Sequence, residues 1–493
     1  MSKRAVVCGA GFGGLSAAAL LAQKGWDVTL LEKNNSVGGR ARAFGVKGFV
    51  FDMGPSWYLM PEVFERFFGK FGKTTSEYYH LSRLDPSYRV FFEPNETVDV
   101  QSSPESASRL FDYFEENGGQ HLNQYLVDAA YKYNVAMDQF LYKDYTSVFQ
   151  FLNKRMVNEG LKLNVFQKLH PFIQRYFHDI RAQQLLEYAM VFLGTDPKKA
   201  PALYSIMSHV DLTQGVFYPE GGLARVAAAI GELAEELGVK IKTNTEVTGV
   251  RCSKGKAEAV ETNNGTYPAD IVVMNADYHH AETELLEKRW QTYPKSYWNR
   301  RTVAPSMFLM YVGLKKKLKK AAHHTLFFKR NWDTHFDSIF RKPEWPDDPC
   351  FYLCCNSKTD PYSAPKNGEN LFILVPISAG LNDDKEPREA YGEYVLTHIE
   401  HIFGESIRDG IDVKLTYSVS DFEREYNAFK GTALGLSHTL FQTAVFRPSR
   451  KSKKVKNLYY TGQYTHPGVG VPMTLISSEI TADKIMKDFS SKE

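Results

Sequence analysis

The stretch spanning residues 4–32 constrains what this chain can fold into more than any other. Residues 5–8 form a short apolar run rich in β-branched side chains, which predicts a buried central strand. Gly9, Gly11 and Gly14 then complete G-x-G-x-x-G, with Ala10, Phe12 and Gly13 between them. Residues 15–23 are strong helix formers, Gly25 closes that helix, and 28–31 read as a second buried strand ending at Glu32. In such a turn Gly9 takes the tight bend, Gly11 lets a pyrophosphate approach the backbone, and Gly14 lets helix and strand pack closely. The helix N-terminus offers N–H groups and a partial positive charge to that pyrophosphate. Glu32 lies at the expected distance of about 20 residues, placed to accept hydrogen bonds from a ribose. The ordered parts predict a dinucleotide site rather than a merely structural turn. The acid favours an unphosphorylated ribose, as in NAD or FAD.

The residues after Glu32 choose between those two. The chain continues through Lys33 to the pair Gly38–Gly39 with Arg40, and then to F-V-F-D-M-G-P-S at 49–56. This resembles the second signature of the flavin-dependent amine oxidase and carotene desaturase superfamily, in which the segment lies along the FAD pyrophosphate and flavin.

At 493 residues, two domains are the natural expectation. Hydrophobic content of 43% and charged content of 24% are those of a soluble globular protein, and a net charge of +3 is too small to suggest a nucleic-acid binder. The cysteines Cys8, Cys252, Cys350, Cys354 and Cys355 form no C-x-x-C pair and no zinc spacing. That predicts a reducing compartment and no metal. The first strand begins by residue 5, which leaves no room for a signal peptide, and no run of 18 apolar residues suggests a membrane span.

The patterning divides the chain into alternating pieces: a nucleotide-binding part at 1–80, a substrate part at 81–214, a return at 215–289, a second excursion at 290–430, and a last return at 431–493. Residues 88–100 predict a hairpin, and 104–193 become helical, with amphipathic stretches at 107–116 and 122–140. G-V-F-Y-P-E-G-G at 215–222 leads into a helix at 223–237. Strands are predicted at 239–243, 246–252, 257–262 and 270–274, the last ending in N-A-D at 275–277. Alternating strands at 306–314 and 371–377 suit a sheet lining a cavity, and the basic run 315–320 reads as a solvated turn. After a strand at 457–460, a glycine- and proline-rich turn leads to a helix starting near Met473, its N-terminus aimed at whatever the turn cradles.

The most specific likeness is at this end. T-H-P-G-V-G-V-P at 465–472, after N-L-Y-Y-T-G, closely resembles the C-terminal signature of bacterial-type phytoene desaturases. F-D-M-G-P-S at 51–56, D-P-K-K-A-P-A-L-Y-S-I at 196–206, F-Y-P-E-G-G at 217–222, H-H-T at 323–325 and F-R-P at 446–448 read like the same family, in the right order along the whole chain. The resemblance implies an α/β fold: a Rossmann-like FAD-binding domain assembled from discontinuous segments, an α+β substrate domain and a helical membrane-facing region. It places FAD against Gly9, Ala10, Gly11, Phe12, Gly13, Gly14, Glu32, Lys33, Gly39, Arg40, Gly54, Pro55, Ser56, Val247, Gly462, Gly470, Val471, Pro472 and Met473. Gln463 departs from the wider superfamily, which carries an acid near that position.

The activity implied is FAD-dependent desaturation of 15-cis-phytoene to lycopene or a partly desaturated intermediate, with oxygen or a quinone as electron acceptor. Diapophytoene, a hydroxylated carotenoid, carotenoid isomerisation, and a redox-silent prenyl-lipid binder are the alternatives; an amine oxidase fits the C-terminal signature less well. A carbocation formed on a polyene is allylic and delocalised, so no strong base is required, and His323, His324 and His466 read as structural hydrogen-bonders. A water-insoluble substrate implies peripheral docking of a cytoplasmic protein on the inner face of the cell membrane. The candidate surface is the stretch 149–177, where Phe149, Phe151, Leu152, Val165, Phe166, Leu169, Phe172 and Phe177 mix with Lys154, Arg155, Lys162, Lys168 and Arg175.

Overall fold

In the computed structural model, which describes residues 3–145 and 163–490, the strand Arg4–Cys8 is the middle of a five-stranded sheet. Its order is Leu458–Tyr460, Ile271–Met274, Arg4–Cys8, Asp27–Leu31, Lys240–Lys242, and every pair is parallel. Such a sheet buries both faces, which is why its strands read as continuous apolar runs. Ala5 and Val7 pack against the helices Phe12–Gln23, Gly222–Glu236 and Val471–Ser490. Val6 and Cys8 point the other way, toward Val250 and Val260 of a three-stranded antiparallel sheet. The first helix begins at Phe12, three residues earlier than its propensities suggest. Gly13 and Gly14 are poor helix formers, but the site needs them inside the first turn. A Cβ on Gly14 would lie 1.9 Å from the Gly9 carbonyl oxygen, so no other residue lets helix and strand come so close.

The second sheet has seven strands in the order Ile411–Tyr417, Ser306–Leu314, Glu369–Ile377, Phe351–Cys354, His324–Phe328, Tyr88–Phe92, Glu96–Val100. Tyr88–Val100 is the expected hairpin, and it pairs in parallel with His324–Phe328 from far along the chain. All nine residues of Ser306–Leu314 are buried because both faces are covered. Phe308, Met310 and Val312 pack with Val395, Ile399 and Phe403 of the helix Lys385–Phe403. Met307, Leu309 and Tyr311 join the opposite core, toward the helical excursion. Within that excursion Gly118–Val135 is an α-helix that widens into a π-turn over Ala136–Leu141. The run 315–320 is a loop as expected, with Lys315 paired to Asp412 and Lys316 to Asp409.

The stretch 149–177 divides. Phe149, Phe151, Leu152, Lys154, Arg155 and Lys162 lie outside the described residues. Leu169, Phe172 and Phe177 are buried, Phe172 and Phe177 against Tyr125, in the core under the second sheet. Leu169 and Phe172 sit on the short helix Leu169–Ile173 and Phe177 follows it, all three packed on their own protein, so these side chains are not a lipid-facing surface. Phe166 is 79% exposed.

Candidate active site

Four parallel strands end on the same side, and the residues just past their carboxyl ends converge: Gly9 after the first, Glu32 after the second, Asn275 after Met274, and Gly462 two residues beyond Tyr460. Open parallel sheets bind ligands in the crevice beyond these ends. Glu32 is buried and organises the glycine loop directly. One carboxylate oxygen accepts from the Ala10 N–H at 2.8 Å, and the other accepts from the Asn34 N–H at 2.9 Å and its side-chain amide at 3.0 Å. Two oxygens offer about four acceptor positions, so capacity remains for a ribose hydroxyl.

Opposite the loop, Gly38 donates its N–H to the Ala10 carbonyl, and a Cβ on Gly39 would sit 3.0 Å from the Gly11 Cα. Phe12–Gln23 begins there with no side-chain cap, leaving its N-terminal dipole directed into the crevice. Arg40 stacks over Tyr426 at 5.2 Å, while its Nε is buried without a partner. Gln463 Nε2 and Trp57 Nε1 are likewise buried and unpartnered among the described residues, and all three side chains line the crevice. Unsatisfied donors of this kind call for an acceptor that the protein does not supply. The phosphates, ribityl hydroxyls and ring carbonyls of FAD are such acceptors, so the residues present fit that cofactor.

One continuous cavity runs from this crevice into the space between the two sheets. Gly9, Gly11, Phe12, Gly13, Glu32, Lys33, Gly39, Arg40, Gly54, Pro55, Ser56, Val247, Gly462, Gly470, Val471, Pro472 and Met473 all line it. Ala10 and Gly14 stand behind the lining, the first donating to Glu32 and the second packing under the loop. Lys33 has its ammonium already engaged by the Arg424 carbonyl at 2.9 Å and by Glu246 at 3.5 Å. The last helix, Val471–Ser490, starts with Pro472 in its first turn and presents its N-terminus to the cavity.

Beyond the glycine loops the wall turns apolar: Phe192, Leu193, Leu203, Met207, Met307, Leu309 and Leu374. The sheet register sets Leu309 opposite Leu374, and Leu374 opposite Tyr352, in one row. The Tyr352 hydroxyl lies 2.8 Å from Ser56 Oγ and 2.7 Å from His324 Nδ1. His323 and His324 are buried behind Ser56 and Trp57, and His324 stacks on Trp57 at 4.3 Å. Burial holds both imidazoles neutral, pushing His323 down to about 3 and His324 well below the usual range. With Cys354 they bring three donor atoms within 4.8 Å of one another. Burial pushes the Cys354 thiol well up, and each of the three bonds a neighbour outside the trio: Cys354 Sγ donates to Asn356 Oδ1, His323 Nδ1 meets Thr359 Oγ1 and His324 Nδ1 meets Tyr352.

Sequence reasoning missed Asn275, Tyr204, Tyr352 and His438, all of which line the cavity. Asn275 was within reach, because it follows a predicted parallel strand. Tyr204 falls within the motif at 196–206, which did not mark it as a cavity residue, and Tyr352 and His438 carry no local signal. His466, in the C-terminal signature, lies with Nε2 3.1 Å from the Phe140 carbonyl; as that oxygen only accepts, the ring nitrogen donates. Burial first, then the Arg450 charge, lowers its pKa to about 4.

Comparison with known proteins identifies the family. Residues 12–486 match the family model described as flavin containing amine oxidoreductase. A carotenoid 3,4-desaturase of Haloarcula japonica is 47% identical over 487 residues, covering 98% of each chain. A zeta-carotene-forming phytoene desaturase of Myxococcus xanthus is 31% identical, over 98% of this chain and 94% of its own. Among solved structures, an oxidoreductase from Methanosarcina mazei superposes with a TM-score of 0.64 at 16% identity, covering 98% of this chain and 100% of that one, a likeness of fold. The chain belongs to the flavin-containing amine oxidoreductases and, within them, to the carotenoid desaturase family: it is an FAD-dependent oxidoreductase.

Proposed function

We propose that the substrate is a long acyclic carotenoid that is already conjugated, and that the enzyme adds a double bond near the end of its polyene, as a 3,4-desaturase does. The observation that carries this reading is 47% identity, sustained over 98% of both chains, to a carotenoid 3,4-desaturase. Desaturation of 15-cis-phytoene, which the sequence motifs suggest, is the second reading and rests on the 31% likeness. The apolar cavity wall suits both.

FAD, when bound, supplies a hydride acceptor. The chain's own residues do the rest. Glu32 holds the glycine loop and receives the ribose. Arg40, Gln463 and the helix termini at Phe12 and Val471 present donors and positive dipole ends to the phosphates and the flavin edge. The wall of Phe192, Leu309 and Leu374 excludes water and aligns a hydrocarbon chain. Removing two hydrogens from adjacent carbons leaves one C–H electron pair as the new π bond, and the proton released comes from a delocalised cation.

The sequence contains no second G-x-G-x-x-G after a strand, which supports oxygen or a quinone as the electron acceptor; turnover that required NAD(P)⁺ with quinone present would oppose this. No helix among the described residues is long and apolar enough to cross a membrane. The substrate must still be collected from lipid. Leu163 and Val165, beside exposed Phe166, and Leu440, beside Phe441 at 71% exposure, line the cavity, so this rim is the proposed lipid-facing surface.

Expression in two hosts, one accumulating phytoene and one accumulating lycopene, tests the reading through the pigment spectra. A red-shifted product in the lycopene host with phytoene left unchanged is expected. Colour formed directly from phytoene would select the second reading, and no change in either host would defeat both.

A further inference from the structure

His324 and Cys354 face each other across two strands of the second sheet. The register pairs them directly, one in His324–Phe328 and the other in Phe351–Cys354. Directly opposed residues carry their side chains on the same face, with Cβ atoms about 4.5–5.5 Å apart. His323 precedes the strand at a bend, where two successive side chains turn toward one spot, and the imidazole rings lie 4.5 Å apart at 76°. A ring nitrogen of each histidine and Cys354 Sγ come within 4.8 Å of one another. Bonds of about 2.0–2.3 Å to a shared ion set such atoms roughly 3.5 Å apart, so closing the trio takes shifts of under about 1 Å.

The two rings are already held for such a role. His323 Nδ1 lies 2.7 Å from Thr359 Oγ1, and His324 Nδ1 lies 2.7 Å from the Tyr352 hydroxyl. Nε2 of each ring is buried with no partner among the described residues. A neutral imidazole has one proton. On Nε2 it would be a buried donor without an acceptor, whereas on Nδ1 it bonds a hydroxyl oxygen. Both rings therefore carry Nδ1–H and keep a free lone pair on Nε2. Histidines that ligate metals have this arrangement, one nitrogen anchored by an outer partner and the other open. The trio is enclosed, at 6% exposure for His323, 0% for His324 and 2% for Cys354. Tyr218 sits against His323 with ring centres 4.7 Å apart, and Trp57 covers the face of His324.

Enclosure decides which ion fits. Two neutral imidazoles and one thiolate carry a single negative charge. A monovalent ion cancels it, whereas a divalent ion leaves a net positive charge nearly free of solvent contact, which is costly. A soft thiolate with two imidazoles suits copper. We propose that His323, His324 and Cys354 form a binding site for one cuprous ion, behind the cavity wall made by Ser56, Trp57 and Tyr352. Binding breaks the S–H bond and forms S–Cu with no change of oxidation state. Asn356, whose Oδ1 accepts from the thiol, turns its amide to offer NH2 to the thiolate. The displaced proton goes to the buried carboxylate of Asp52, which Asn356 Nδ2 reaches at 3.3 Å. Linear spacing hides this ligand set because its cysteine arrives from the neighbouring strand.

The test titrates the FAD-loaded enzyme with cuprous ion, without oxygen, against a coloured cuprous chelator. One equivalent is expected to resist the chelator, and X-ray absorption should show one sulfur and two nitrogens around the copper. Cys354→Ser, and separately His323→Gln, should weaken retention at least about tenfold while FAD content and circular dichroism stay unchanged. Cys355→Ser should retain the full equivalent, which controls for copper held by a neighbouring thiol. Zinc ion should be held more weakly than cuprous ion. The absorption measurement needs no variant and stands if a substitution impairs folding. No retained equivalent, retention untouched by both substitutions, two sulfurs at the metal, or zinc held as tightly as copper overturns the proposal.

Discussion

The side-chain amide of Asn275 donates to the carbonyl oxygen of Gly9 at 3.1 Å, tying the end of one parallel strand to the turn that succeeds another. Its Oδ1 fills the space beside two glycines: a Cβ on Gly13 would lie 2.6 Å from it, and one on Gly462 would lie 2.7 Å away. Asn275 is thus a wedge holding the N-terminal and C-terminal glycine loops at a fixed separation. Asn275→Ala should cost about 0.5–1.5 kcal/mol, the range for the net loss of one intramolecular hydrogen bond. The expected readouts are a lower apo melting temperature and weaker retention of FAD on gel filtration. Wild-type retention with wild-type melting would show that the wedge is dispensable.

Gly11 and Gly14 belong to one motif but should fail differently. A Cβ on Gly14 runs into the Gly9 carbonyl, whereas one on Gly11 meets only the Asn275 amide at 3.2 Å and the Gly39 Cα at 3.9 Å. Gly14→Ala is expected to destabilise the fold, reducing soluble yield and melting temperature. Gly11→Val should leave a folded protein without FAD, because its added methyls enter the space left for the pyrophosphate. Circular dichroism and flavin absorbance separate the two outcomes, and FAD bound normally by Gly11→Val would place the pyrophosphate elsewhere.

Asp211 gives the molecule a predicted pH response. Burial raises its pKa from 3.8 to about 7, opposed by hydrogen bonds from Tyr88 and Tyr188. The folded state therefore holds this proton where the unfolded chain has released it. Its contribution to stability falls as pH rises from 3.8 to about 7, with a slope approaching roughly 1.4 kcal/mol per pH unit. Asp211→Asn keeps an acceptor for both tyrosines and has no carboxyl to ionise. Urea midpoints measured across this window should fall less steeply in the variant. Parallel curves for the two proteins would remove Asp211 from the account.

Phe166 and Phe441 should govern lipid contact. The double substitution Phe166→Ser/Phe441→Ser is expected to reduce flotation with liposomes several-fold, and turnover on membrane-borne carotenoid with it, while FAD content stays constant. Undiminished flotation would move the lipid-facing surface away from this rim.

The nucleotide half was legible in the sequence because its parts are contiguous. Strand, glycines, helix, strand and Glu32 fall within a single βαβ unit, and each has a pattern of its own. Gly462 was legible through the C-terminal motif, whereas Asn275 was missed although it follows a predicted strand. The substrate half was opaque for the opposite reason. Tyr204, Tyr352 and His438 reach one cavity from three separated segments, and no local spacing records that they meet. Leu169, Phe172 and Phe177 mislead in a further way: an amphipathic pattern states that one face is apolar, not whether protein or lipid covers it.

The central sheet also bears on how the protein is made. Arg4–Cys8 and Asp27–Leu31 leave the ribosome first, yet Ile271–Met274 pairs beside them only much later, and Leu458–Tyr460 later still. At elongation rates of about 5–20 residues per second, the earliest strands wait on the order of tens of seconds for the last. During that wait the edge of Ile271–Met274 is bare and the packing face for Val471–Ser490 is uncovered, a state open to aggregation. The glycine turn that ends at Gly470 is translated just before the final helix, so a complete FAD site and a complete sheet arise together. Cofactor capture then waits on the same segment that completes the sheet, and flavin supply during expression should govern how much of the chain survives as folded protein.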